Sequence, residues 1–490
     1  MKGDFTRQTF RADRHYSAVL YQQGRVQLDA DANEQAAIRL ALARRTAEDL
    51  IGPHGGPGTG FEVRYVPREQ HKNPANLTIT PGRYYVNGVL VDSTRPPAEH
   101  AVGAPAPATA ARDVGGTGGR GTGPGGAEPP AGGDAWTYWD QPFAYLDQER
   151  DGDHLPDEFP FLVCLAVSER LVTVVEDPSI GEPALGAPSP DTAARAQVVW
   201  QVLPLRLDAT EDPEKAFDAW VAGRAAARGR LAARTERPER VEDDPCVLSP
   251  DAAYRGPENQ LYRVEIHRGG GAGVATFKWS RDNGSVIFPI VSLDGAWVTV
   301  GSLGRDEKLG LRPGDLVEVV DDAHAARREA AALPRVEETD PATRRARLSE
   351  APPPGPGHRL DLHPLLRRWD HRGVPAAPVS PDIVSTGTSS GGRLDGGAVK
   401  IVEGRWLDLE DGVQVWFEPG GEYATGDYWQ IPARCLTAGV EWPRDAAGRP
   451  VLSPPHGVPR HYAPLAWVRG ATDVRSLRRT FRPLAVPPSA

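Results

Sequence analysis

The sequence predicts a mainly-β, multi-domain fold, α+β by strict count, and three observations carry that prediction. Apolar and polar residues alternate in many short runs, the period-2 signature of half-buried strands. Two of those runs are interrupted by Asn-Gly, which supplies the two positive-φ residues of a tight hairpin turn. Only two stretches keep a sustained helical pattern. At 490 residues the chain is long enough for about three domains.

Residues 1–52 read as an extended arm, turning at Gly24, followed by a helix that starts at Asp29 or Asp31 and ends at Gly52-Pro53. Along that helix Ala36, Leu40, Ala43, Ala47 and Leu50 recur at 4-3-4-3 spacing. A narrow stripe of mostly small side chains lets a second backbone approach closely. It is therefore a candidate attachment face, either for the chain's own sheet or for a second copy in a homo-oligomer. Residues 53–100 form a small β region, with strands at Phe61–Val66 and Leu77–Thr80 and a hairpin around Asn87-Gly88. Residues 101–134 are dominated by Gly, Ala and Pro and read as a flexible insert, because they hold too little apolar surface to order themselves.

Residues 135–210 form a second β region, with strands at Phe161–Val167, Leu171–Val175 and Gln197–Leu203. Residues 211–240 carry the other helix, opening at Asp212-Pro213 with cap and first-turn proline in their favoured places and running to about Ala233. A central β domain, 255–350, includes Leu261–His267, Trp297–Val300 and Leu316–Val320. Strands at 274–280 and 285–291 form a hairpin closed by Asn283-Gly284. Its charged insert holds two short strands, Arg335–Glu338 and Arg345–Ser349. A C-terminal β domain, 360–480, contains Val399–Val402, Val413–Phe417 and a turn-then-strand at 426–431.

The net charge of −10 argues against a general nucleic-acid binder, since neutralising phosphates needs a surplus of Lys and Arg. Cys164, Cys246 and Cys435 lie far apart without a CxxC pair, so neither a zinc knuckle nor a redox motif is supported. A sparse, odd cysteine count fits a reducing compartment. Met1–Arg7 has no apolar leader, and no stretch approaches the roughly 20 apolar residues of a membrane span. The expectation is cytosolic synthesis without a signal peptide, and no membrane span.

The segment Glu149–Phe159 resembles the acidic calcium loop of thrombospondin-type repeats, in which alternate carboxylates converge on one hard cation. Asp151, Asp153 and Asp157 keep that pattern and are the candidate metal ligands. Glu149, His154 and Pro160 depart from it, which removes a ligand and the turn residue. Gly387-Thr388-Ser389-Ser390-Gly391 has the letters of a nucleophile elbow, but the following Gly392-Arg393 run will not start the helix that an elbow needs. A hydrolase acting through paired carboxylates, such as Asp315 and Glu318, stays open; no catalytic motif selects that pair among 66 acidic residues.

Several phrases, in order along the chain, resemble a known family. They are Met1–Arg7, His15-Tyr16-Ser17, Gln22–Asp31, Glu176–Ile180, Glu182–Gly186, Val199–Val202, the 277–289 segment and Gly426–Trp429. They are similar to an uncharacterised family encoded in gene clusters for extracellular contractile injection systems, the phage tail-like particles of bacteria. Leu165-Ala166-Val167-Ser168 departs from the family's usual Leu-Asp-Val-Trp pattern. The resemblance implies a particle-associated protein, either cargo or effector or an accessory part of the baseplate or spike. Its partners would be tube, baseplate or spike proteins, residues 1–51 would be the attachment element with Ala36, Leu40, Ala43, Ala47 and Leu50 as the stripe facing the particle, and its assembly or delivery would occur with the particle. It implies no catalytic residues.

Overall fold

The computed structural model describes residues 1–68, 73–96, 135–186, 190–207, 212–225, 229–235, 253–371, 394–457 and 459–482. The insert at 101–134, Cys246 and the 387–391 sequence lie outside the described residues. The fold is mainly β and multi-domain, with many short strands in several sheets and three α-helices among the described residues. No described helix is long and apolar enough to cross a membrane. The chain divides into two compact units.

One unit holds residues 42–168, 198–221 and 460–490. Its hairpin Arg83–Val86 and Val89–Asp92 forms as expected, with Val86 opposite Val89 across Asn87-Gly88. Both turn residues have positive φ, 46° and 73°. His54–Pro57 joins this hairpin antiparallel and pairs in parallel with Thr480–Phe481. A four-stranded sheet is built on Phe161–Val172, a single strand where the sequence suggested two. Cys164 is buried in it, beside Phe217 of the second helix.

The other unit holds residues 1–41, 169–197 and 222–459. One six-stranded sheet is centred on Gln260–Arg268, which pairs antiparallel with Thr276–Ser280 and with Tyr428–Arg434. A second six-stranded sheet contains Ile287–Asp294, Leu316–Val320 and Leu365–Trp369. Here the expected 274–291 hairpin fails. Asn283 and Gly284 do form the turn, at φ 51° and 68°, and Ser285 N donates to Asp282 O at 3.0 Å. The flanking strands nevertheless belong to the two different sheets. Asn283 is the reason: its amide N–H bonds Leu261 O at 2.9 Å, and its side chain holds other segments. The turn carries the chain from one sheet to the next.

Helix α1, Asp29–Ile51, starts and stops as expected, closing on Gly52 at φ 89°. Helix α2, Pro213–Ala225, ends earlier than expected. Leu231–Thr235 is a strand paired with Val413–Phe417, because its alternating apolar positions are taken up by a sheet core. A short helix, α3 at Asp322–Arg327, was not expected; the Asp321 carboxylate caps His324 N at 2.8 Å.

Candidate functional site

Thr276–Ser280 reads as a half-buried strand, yet all five residues are buried. Lys278 is the consequence of interest. Its Nζ donates to Glu318 Oε1 at 2.6 Å and lies 3.6 Å from Glu265 Oε1. Trp369 Nε1 donates to the other Glu318 oxygen at 2.9 Å, and Arg263 Nε donates to Glu265 Oε2 at 2.6 Å. The N-terminal residues complete the group. Lys2 Nζ stands 2.9 Å from Glu265 Oε1, and Asn283 Nδ2 donates to the Gly3 and Met1 carbonyls at 2.8 and 3.2 Å. Burial alone would raise both carboxyl pKa values. For Glu265 the charges of Lys2, Arg263 and Lys278 outweigh burial; for Glu318 those of Lys278 and Lys2 do, and both stay well below the usual range. This network is structural: its charges are satisfied by one another.

A charged cleft of about 370 Å³ opens in the same unit, at strand ends and turns contributed by its sheets. Gln260 begins one strand, Arg281 follows another, Arg368 and Trp369 end a third, and Glu410 sits in the turn before Val413–Phe417. Arg281 is the hinge of the site. Its Nη2 donates to Glu410 Oε2 at 2.8 Å, its Nε lies 3.8 Å from Asp370 Oδ1, and its backbone N–H donates to Asp370 Oδ2 at 3.0 Å. Tyr262 donates its hydroxyl to Glu410 Oε1 at 3.2 Å. Arg368 Nη1 donates to the Lys308 and Gly310 carbonyls, fixing the loop that brings Lys308 within 3.7 Å of Asp282.

The electrostatics single out Glu410. Burial raises its pKa, the Arg281 charge opposes, and Asp370 adds to the rise, leaving it at about 7. Asp282 is likewise raised, by burial and then by Asp370. A carboxyl that shares its proton near neutrality, beside carboxylates held by arginines, can serve as a proton donor.

Of the acidic pair considered from sequence, Asp315 lines this cleft; Glu318 does not, being held by Lys278 and Trp369. Arg281, Asp370 and Glu410 escaped the sequence reading because they are far apart in the chain and belong to no motif. The only signal was that Arg281-Asp282 immediately precedes an Asn-Gly turn.

The 149–158 loop folds as a short 3₁₀ turn at Asp151–Asp153. Asp153 Oδ2 accepts from Asp147 N at 2.9 Å, and Asp153 Oδ1 lies 3.9 Å from Arg150 Nε. Among the described residues no group of three His, Cys, Asp or Glu side chains is placed to hold a metal ion. Calcium at Asp151, Asp153 and Asp157 therefore remains an expectation for titration.

The stripe on α1 faces outward. Ala36, Leu40, Ala43 and Leu50 are exposed and Ala47 is half-buried, while Ala30 and Ile38 make the helix's buried contacts. The arm before it is tied down by side chains: Thr6 to Asp29, Thr9 to Glu34 and Val19 to Gln35. Between these ties Leu20 and Val26 are 83% and 84% exposed. The phrases at 176–186 prove to be turn chemistry. Asp177 and Glu182 each cap a proline-led 3₁₀ turn through Ser179 N and Ala184 N.

Fold and cleft together define a β-rich, multi-domain protein with an internally charged site and an outward-facing N-terminal segment. The chain belongs to a family of unknown function, DUF6519, whose model matches residues 1–126 and 208–482. No curated protein and no solved structure matches it.

Proposed function

We propose that this protein works as a component of an extracellular contractile injection particle, carried as cargo or seated at the baseplate or spike. The observation that carries this reading is the exposure of large apolar side chains within residues 16–50. Leu20 and Val26 on the arm, and Leu40 and Leu50 on α1, present large side chains to solvent. Exposed large apolar side chains on an ordered arm and helix supply area that a partner protein can bury. The order of the family phrases supplies the particle context.

The arm cannot simply be deleted to test this, because Lys2 belongs to the buried network around Glu265. The better variant is Leu20→Ser, Val26→Ser, Leu40→Lys and Leu50→Lys together. It should fold with unchanged circular dichroism and no longer co-purify with sheathed particles. Particles from the native host that lack this protein by mass spectrometry would refute the reading.

One observation favours a second reading, a hydrolase acting on glycans or peptidoglycan. Glu410 holds a proton near neutrality in a cleft it shares with Asp370. Polymer turnover by the free protein, abolished in Glu410→Gln, would support this role; unchanged turnover in that variant would remove Glu410 from it.

A further inference from the structure

We infer that residues 16–22 of the arm dock as an added β-strand on the open edge of a sheet in a particle subunit. The inference rests on the particle reading and supplies the chemistry of the contact.

The backbone carries the argument. From Tyr16 to Gln22 the chain runs without turn or bend, up to the Gln22–Arg25 turn at Gly24 (φ 70°). Every residue of 16–28 is exposed except Val19, which is half-buried. Among the described residues only two amides of that stretch donate within the chain, Val19 N to Gln35 Oε1 at 2.8 Å and Arg25 N to Gln22 O at 3.3 Å. A segment with no buried side chain and almost no paired backbone recovers little within its own chain for being held extended. Its free groups are those of an unpaired strand, and Tyr16, Val19, Tyr21 and Val26 are residues that strands favour. What complements them is the free N–H and C=O row of a sheet edge.

Val19 fixes which side of the arm is open. In an extended run successive N–H groups point to opposite sides, so Ser17 and Tyr21 share the side that Val19 turns to α1, while Ala18 and Leu20 face away from it.

A second copy of this chain does not supply the edge. Among the described residues, its edge strands of five residues or more are Arg195–Leu205, Leu231–Thr235, Leu316–Val320 and Val336–Asp340. Each is already engaged on its open side: Val202 N and O by the Gln141 amide, Leu231 N and O by Ser453, Val317 N by Pro334 O, and Val336 N and O by Asp315 O and Gly314 N. Glu337 and Glu338 place exposed charge on the last of them. The edge therefore belongs to a different protein.

The test is rebinding of the purified full chain to sheathed particles from a host strain that lacks this protein, read by co-sedimentation over a concentration series. Ala18→Pro removes an outward N–H and Ser17→Pro an inward one. Neither amide bonds anything in the chain, so both variants should keep the parent's circular dichroism and Tm. Ala18→Pro should weaken rebinding at least about tenfold, and Ser17→Pro less than about threefold. Equal rebinding by the two overturns the inference. If the Leu20→Ser, Val26→Ser, Leu40→Lys and Leu50→Lys variant then fails to rebind, the particle reading stands and side chains alone make the contact. Self-association of the parent in light scattering, abolished by Ala18→Pro, would give the arm to a second copy and overturn the occupant named here. A parent chain that does not rebind overturns the particle reading, and the inference with it.

Discussion

Two Asn-Gly turns with nearly the same backbone do different work. Asn87-Gly88 closes a two-stranded hairpin whose partners stay in register. Asn283-Gly284 has equally positive φ values, yet hands the chain from one sheet to another. What differs is their surroundings. A Cβ built on Gly88 would lie 2.1 Å from Arg44 O of α1, so that turn is pressed against a helix backbone. The nearest atoms to one built on Gly284 are on the flexible stems of Lys2 and Arg263, at 3.5 and 3.6 Å. At the second turn the side chain of Asn283, rather than the glycine, carries the specificity. It bonds the Met1 and Gly3 carbonyls and accepts from Gln430 at 3.0 Å. A dipeptide sets the turn; the neighbours set what the turn connects.

Lys278 lies in the strand that leads to the second turn, and replacing it should have the largest effect. Lys278→Met would leave Glu318 with its indole partner alone and weaken the hold on Glu265, a loss of about 3–5 kcal/mol. The urea midpoint should fall accordingly, and an unshifted midpoint would show that Lys2 compensates.

Next comes the pair that contrasts the turns directly. Gly88→Ala combines left-handed strain with a backbone clash and should cost about 2–4 kcal/mol. Gly284→Ala faces the same φ without the clash and should cost about 1 kcal/mol. Equal costs in thermal unfolding would mean that the packing of α1 on the first turn is not decisive.

Asn283→Ala should fall between them, at about 1–3 kcal/mol, because it unpairs two carbonyls of the N-terminal segment. It should also speed amide exchange over the first residues. Asn87→Ala should leave those amides unchanged.

The smallest effect concerns pH. The Glu410 pKa is raised from 4.5 to about 7, so the folded state binds more protons than the unfolded state in that interval. Stability from this group therefore falls as pH rises from 4.5 toward 7. Glu410→Gln should flatten that decline in Tm, and a decline of undiminished slope would place the titration elsewhere.

Calcium titration of the parent chain, against Asp151→Ala with Asp153→Ala, tests the acidic loop separately. Heat lost in the double variant would establish a site, and no heat in the parent would leave a plain loop.

The sequence by itself determined the fold class, most strand positions, both ends of α1 and the positive φ at both Asn-Gly pairs. These are local matters: alternation fixes which side chains share a face, and glycine and asparagine relieve the strain of a left-handed residue. Only the tertiary structure decided that Leu231–Thr235 is a strand and that Lys278 is buried against two glutamates. It alone decided that the 36–50 stripe faces outward and that Arg281, Asp370 and Glu410 share one cleft. Each of those outcomes depends on residues far away in the chain. Burial and charge pairing are set by what packs from outside the local segment, and no short window of sequence contains that partner.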